Sequence, residues 1–96
     1  MAYRISATHQ FEKDLKRCIK RGYPMDEFRT VLRLLERDGC LPERYRPHLL
    51  RGDRRDQWEC HIRPDWLLIW KQIGNELELL MLNTGTHSDL FGKKRR

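Results

Sequence analysis

Apolar residues fall along this chain in two rhythms, one helical and one strand-like. Phe11, Leu15, Cys18 and Ile19 recur at the spacing of one helix face, while Lys13, Asp14, Lys16, Arg17 and Lys20 take the other faces. Phe28, Val31, Leu32 and Leu35 repeat the pattern. Thr8 stands where an N-cap belongs, and Gly22 ends the first helix in a left-handed conformation. Pro24 opens the second helix, where its missing amide proton costs nothing, and Asp38-Gly39 closes it. The turn between them is short, so an antiparallel two-helix hairpin is predicted. Ahead of it, Tyr3 and Ile5 alternate with Arg4 and Ser6 as a short strand.

The second rhythm begins at Trp58. Trp58, Cys60 and Ile62 share one face of a strand, and Glu59, His61 and Arg63 share the other, so His61 points away from the core. Pro64 cannot donate a ladder hydrogen bond, so the strand ends there and Asp65 lies in a turn. Trp66 to Ile73 is almost wholly apolar and reads as a central strand buried on both faces. Gly74-Asn75 predicts a two-residue hairpin, with Glu76 to Leu82 returning antiparallel. That return carries Asn83-Thr84-Gly85-Thr86-His87 back to the end of the sheet where Asp65 sits. Ser88 to Phe91 is a last helical turn with Phe91 packing back, and Gly92 to Arg96 is a basic tail.

Between helices and sheet, from Cys40 to Asp56, periodicity vanishes. Pro42, Pro47 and Gly52 interrupt a segment that carries Arg44, Arg46, Arg51, Arg54 and Arg55, a long basic loop with a brief strand at His48 to Leu50.

Composition adds limits. Ninety-six residues with 39% hydrophobic content suit one domain spanning 1–96, of α+β class: a short N-terminal strand, the helix hairpin on a mainly antiparallel sheet, and a C-terminal helical turn. Twenty Lys and Arg against fourteen Asp and Glu give a net charge of +6 and point to an anionic partner such as nucleic acid. Three cysteines, Cys18, Cys40 and Cys60, have no CxxC spacing and support neither a disulfide framework nor a zinc site. With no signal-peptide core and no membrane-length apolar run, a cytoplasmic protein is expected.

The predicted sheet gathers His48, His61, Asp65 and His87 at one end, ringed by arginines. No metal-ligand spacing and no nucleophile motif accompanies them. RNA cleavage by the RNA's own 2′-hydroxyl fits this set, because it needs a base, an acid for the departing 5′-oxygen and cations around the phosphate. Arg51 and Arg63 are candidate cations, and Trp66 or Phe91 a stacking surface for a base. A non-catalytic protein that binds RNA or the ribosome is the competing class.

His61-Ile62-Arg63-Pro64-Asp65-Trp66-Leu67-Leu68-Ile69, with Thr84-Gly85-Thr86-His87-Ser88-Asp89-Leu90-Phe91, resembles the YafQ branch of the RelE-type toxins of bacterial toxin-antitoxin systems. The resemblance covers nearly the whole chain and implies a RelE-like fold. It also implies a ribosome-dependent endoribonuclease that cuts messenger RNA, uses no metal or other cofactor, and is held inactive by a cognate antitoxin in a hetero-oligomeric complex. No membrane partner is implied, and no DNA binding without the antitoxin. His48, His61, Asp65 and His87 match positions used for acid-base chemistry, and Phe91 an aromatic that supports the site. Two places depart from the pattern. Asn83 stands where many relatives carry an arginine that steadies the phosphate, and Asp53-Arg54-Arg55-Asp56 lacks the tryptophan and glycine some relatives show. A decayed toxin of the same fold, kept as a partner for its antitoxin, is the alternative.

Overall fold

The computed structural model describes residues 2–92; of the expected basic tail, Gly92 to Arg96, Gly92 belongs to the last helical turn and Lys93 to Arg96 lie outside the described residues. Strand β1 (Arg4–Ala7) leads into helix α1 (His9–Lys20), capped by the Thr8 hydroxyl, which accepts from the Phe11 amide at 3.0 Å. Helix α2 (Met25–Asp38) follows and ends on Gly39, whose φ of 73° only a residue without a Cβ adopts freely. The Tyr3 ring lies against that glycine where a Cβ would project, so the end of α2 and the start of the chain lock together.

Two 3₁₀ turns, Glu43–Tyr45 and Gly52–Arg54, flank the short β2 (His48–Leu49) in the arginine-rich loop. Strands β3 (Trp58–Arg63), β4 (Trp66–Gln72) and β5 (Glu78–Gly85) complete a sheet of order β1-β5-β4-β3-β2. All neighbours are antiparallel except β1, which runs parallel to β5 from Arg4 opposite Glu78 to Ala7 opposite Met81. One π-helical turn, Ser88–Gly92, closes the described region. No helix among the described residues is long and apolar enough to cross a membrane.

The helices cover one face of the sheet. Phe11 and Phe28 stack with ring centres 6.1 Å apart, Phe28 lies 6.3 Å from Trp66, and Cys18, Val31, Leu35, Cys60, Leu68, Trp70, Leu79 and Met81 fill the rest. Leu67 and Ile69 alternate onto the opposite face of β4 and are also fully buried, as the expectation of a strand covered on both sides requires. A β4 closed on both faces is the rigid base of what stands at its start.

Four local expectations change. Ile19 is 53% exposed, since the sheet takes only the Phe11 and Cys18 side of α1. Trp58 lies at the sheet margin, 37% exposed, and stacks on Trp70 instead of entering the core. Gly74-Asn75 does not make a two-residue hairpin. The last β4–β5 pair is Gln72 with Leu79, and the Ile73 amide reaches the Glu78 carbonyl at 3.0 Å, so the connection is longer and β5 starts at Glu78. Leu77, apolar but 45% exposed, had no buried place to pull it into the ladder. Glu59, predicted to face outward, is buried instead.

Candidate active site

Antiparallel pairing assembles the site in two rows across the face away from the helices. His61 on β3 stands opposite Leu67 on β4, which stands opposite Gly85 on β5; two residues along, Glu59, Ile69 and Asn83 line up in the same way, and His48 on β2 pairs with Glu59. The His48 and His61 rings are 6.3 Å apart between centres, and those of His61 and His87 are 5.8 Å apart. His87 in turn meets Asp65, Nδ1 to Oδ1, at 2.8 Å. The structure thus brings together all four residues of the predicted acid-base set.

Each imidazole is held through Nδ1. That of His48 faces the Arg46 carbonyl at 2.9 Å, that of His61 the Pro64 carbonyl at 3.2 Å, and that of His87 the Asp65 carboxylate. Carbonyls and carboxylates only accept, so each Nδ1 carries a proton, and in His61 and His87 Nε2 is left for chemistry. Arg46 takes a left-handed φ of 53° to aim its carbonyl at His48, a strained conformation for a residue with a side chain. Nε2 of His48 lies 3.0 Å from Glu59 Oε1, a contact that needs a proton between the two atoms.

Asp65 accepts twice from His87, at the backbone amide (3.0 Å) and at the ring. These bonds, the amide first, hold its carboxyl below the ordinary value of 3.8, so it is ionised at neutral pH. His87 is kept at its post by the residues around it. The Thr86 hydroxyl accepts from the Asp89 amide at 3.0 Å while Asp89 Oδ2 accepts from the Thr86 amide at 2.9 Å, a reciprocal cap. Arg21 of the segment after α1 clamps Asp89 through two bonds of 2.7 and 3.1 Å and pushes its carboxyl far down.

The other expected residues fall into three settings. Trp66 is 2% exposed and locked among Tyr23 and Phe28, with its Nε1 donating to Thr84 Oγ1 at 2.9 Å; a ring so enclosed offers no face to a base, and it serves as core instead. Arg63 is bound by Glu27 through two bonds of 2.7 Å, which tie its charge to α2. Its side chain still borders a small cavity of about 240 Å³ shared with Arg44, Arg46 and His61. Arg51 is exposed at the loop, Phe91 is 39% exposed beside Arg54, and Asn83 is half-buried between Asp14 and Arg54.

Sequence reading missed Glu59, Asp89 and Asp14. For Asp89 a signal was present, since Thr86-x-x-Asp89 has the spacing of a capping box. Buried Asp14 accepts from Gln10 Nε2, the Thr84 amide and Asn83 Nδ2, and so fastens α1 to β5 below the site. Nothing local announces it, because two of these partners are 69 and 70 residues away.

The family model described as "Bacterial toxin of type II toxin-antitoxin system, YafQ" matches residues 3–92. The curated mRNA interferase toxin YafQ of Escherichia coli (strain K12) is 35% identical over 89 residues, covering 92% of this chain and 95% of that protein. The solved E. coli DinJ-YafQ toxin-antitoxin complex contains a chain similar at a TM-score of 0.85 and 33% identity, with 96% of this chain and 100% of that one covered. A metal-bound toxin from Helicobacter pylori is similar at 0.81 and 34%, with 93% and 99% covered.

Proposed function

The chain belongs to the YafQ family of bacterial type II toxin-antitoxin toxins, and from that premise we propose that it is an endoribonuclease which cuts messenger RNA during translation. The observation that supports this reading best is the row of three imidazoles, each fixed through Nδ1 with Nε2 free for proton exchange or paired to a carboxylate, beside an ionised Asp65. In the reaction the 2′-oxygen forms a bond to phosphorus as the P–O5′ bond breaks, leaving a 2′,3′-cyclic phosphate and a free 5′-hydroxyl. One imidazole takes the 2′ proton and another supplies a proton to the 5′-oxygen. Adjacent rings about 6 Å apart suit two oxygens on one phosphorus, given a hydrogen-bond reach of about 2.6–3.2 Å on each side. Asp65 keeps the His87 ring oriented and offsets the positive charge it carries when protonated.

The site is an open rim rather than an enclosed cleft: His48, Asp65 and His87 keep 49%, 65% and 55% of their side-chain surface exposed. Such a rim does little to fix a flexible message by itself. The ribosome supplies that positioning, worth up to about 7–11 kcal/mol of a barrier in well-oriented systems. A cognate antitoxin with acidic and apolar side chains is the expected inhibitor, since +6 on a small domain favours a fast, salt-sensitive encounter. The test is to induce the chain in bacteria with and without its antitoxin and map transcript ends. New ends should lie inside reading frames and disappear when the start codon of a reporter message is removed. Equal cutting of that untranslated reporter, or no new ends at all, rules the reading out.

A further inference from the structure

Arg54 differs from its neighbours in what holds it. Its Nε donates to Gln57 Oε1 at 2.7 Å, its Nη2 donates to Asn83 Oδ1 at 2.7 Å, and its guanidinium carbon stands 5.8 Å from the centre of the Phe91 ring. All three neighbours are uncharged. Elsewhere among the described residues Arg63 is matched by Glu27, Arg21 by Asp89, Arg37 by Asp38 and Arg4 by Glu78. Arg54 is half-buried and fixed, and no carboxylate among the described residues stands within ion-pair distance of it. Of the five N–H groups of a guanidinium, these bonds use two and leave Nη1 and one hydrogen of Nη2 to meet an anion.

Asn83 is itself oriented from behind. Its Nδ2 donates to Asp14 Oδ2 at 3.3 Å, so the amide oxygen must face Arg54. Asn83 shares its row with Ile69 and Glu59, one row from His61. With strands about 4.8 Å apart and alternate residues about 6.8 Å along, that row brings Arg54 toward the histidines from the β5 side, as β2 brings His48 from the other. Phe91 lies one helical turn beyond His87. Asn83 on β5 and the loop segment that carries Arg54 are thus joined by a hydrogen bond.

We infer that Arg54 is the phosphate-binding cation of this site and that Asn83 is the residue that positions it. The inference rests on the RNA-cleaving reading above. As the 2′-oxygen attacks, negative charge gathers on the equatorial phosphate oxygens, and a guanidinium answers two of them with paired, charge-assisted bonds that an asparagine amide cannot supply. The charge enters from the loop, while the strand contributes the neutral group that aims it.

Two measurements test this on the full chain. One is single-turnover cleavage on ribosomes programmed with a defined message. The other is salt-dependent binding of a labelled 2′-O-methyl RNA hexanucleotide, which has no hydroxyl to attack with. Arg54→Ala should slow cleavage by about 10²–10³-fold and flatten the log–log salt slope by about 0.7. Arg54→Lys should restore the slope but not the rate, and Asn83→Ala should lower the single-turnover rate while leaving the slope in place. Arg55→Ala should change neither, because that side chain turns back to the Gly52 carbonyl. If Arg54→Ala does not fold, Arg54→Gln gives the same reading, since its amide can still bond Asn83 without a charge. A folded Arg54 variant with wild-type rate and slope overturns the assignment alone. A wild-type chain that cuts nothing on ribosomes overturns the nuclease reading, and this inference with it.

Discussion

Replacing Thr84 by Val tests how the site's foundation is held. Thr84 is 0% exposed; its hydroxyl accepts from Trp66 Nε1 at 2.9 Å and donates to the Leu67 carbonyl at 2.7 Å. Valine keeps the shape and removes the relay, leaving the indole N–H unpaired in a residue that is 2% exposed. A buried donor without a partner costs about 1–3 kcal/mol, and the lost bond to the carbonyl adds a net 0.5–1.5, so about 1.5–4.5 kcal/mol is expected. For a chain of this size each kcal/mol moves Tm by about 4–8 °C, so the fall should be about 6–36 °C. Urea unfolding followed by far-ultraviolet circular dichroism gives the free energy, and an unchanged m-value shows that the unfolded state is comparable. Adding Trp66→Phe removes the orphaned donor, so the two substitutions together should cost less than their sum by about 0.5–3 kcal/mol. A loss below about 0.5 kcal/mol for Thr84→Val, or strict additivity, refutes the reasoning.

Two further outcomes are expected. Asp65→Asn keeps an oxygen for the His87 amide and ring but removes the charge, so single-turnover cleavage should fall by about 10²–10⁴-fold without loss of fold; a wild-type rate would show that His87 works unaided. The carboxyls of Asp65, Asp89, Glu27 and Glu78 are all held below their ordinary values, by the His87 amide, Arg21, Arg63 and Ser6 respectively as the leading causes. Groups depressed on folding contribute stability above their unfolded values of 3.8 and 4.5 and lose it as pH falls through the folded ones, so the urea midpoint should be level with respect to these groups from about pH 5.5 to 7 and decline below about pH 4.5. A midpoint constant down to about pH 2.5 would contradict the ion pairs.

What could be read without coordinates was local. Thr8, Gly39 and Pro64 act within a few residues of themselves, through a hydroxyl, a missing Cβ and a missing amide proton, and each set an element boundary where expected. The meeting of Asp65 with His87 was legible because antiparallel neighbours bring one strand's end to the other's start. Glu59 was misplaced because alternation says which face a side chain takes, but not whether that face is covered; a buried carboxylate there depends on His48 arriving from β2. The parallel pairing of β1 with β5 leaves no periodic trace, since it joins segments more than 70 residues apart. Arg54 was one of five arginines in a loop without rhythm, and only its distant partner Asn83 distinguishes it.

That parallel pairing has a consequence for how the protein comes into being. Glu78 to Met81, which Arg4 to Ala7 must join, are made 74 residues after them. At about 5–20 residues per second the wait is roughly 4–15 s, during which the first strand has no neighbour on the sheet. His87 emerges later still. Until both have been made, a growing copy has neither a closed sheet nor a paired Asp65, so its row of imidazoles is not yet assembled.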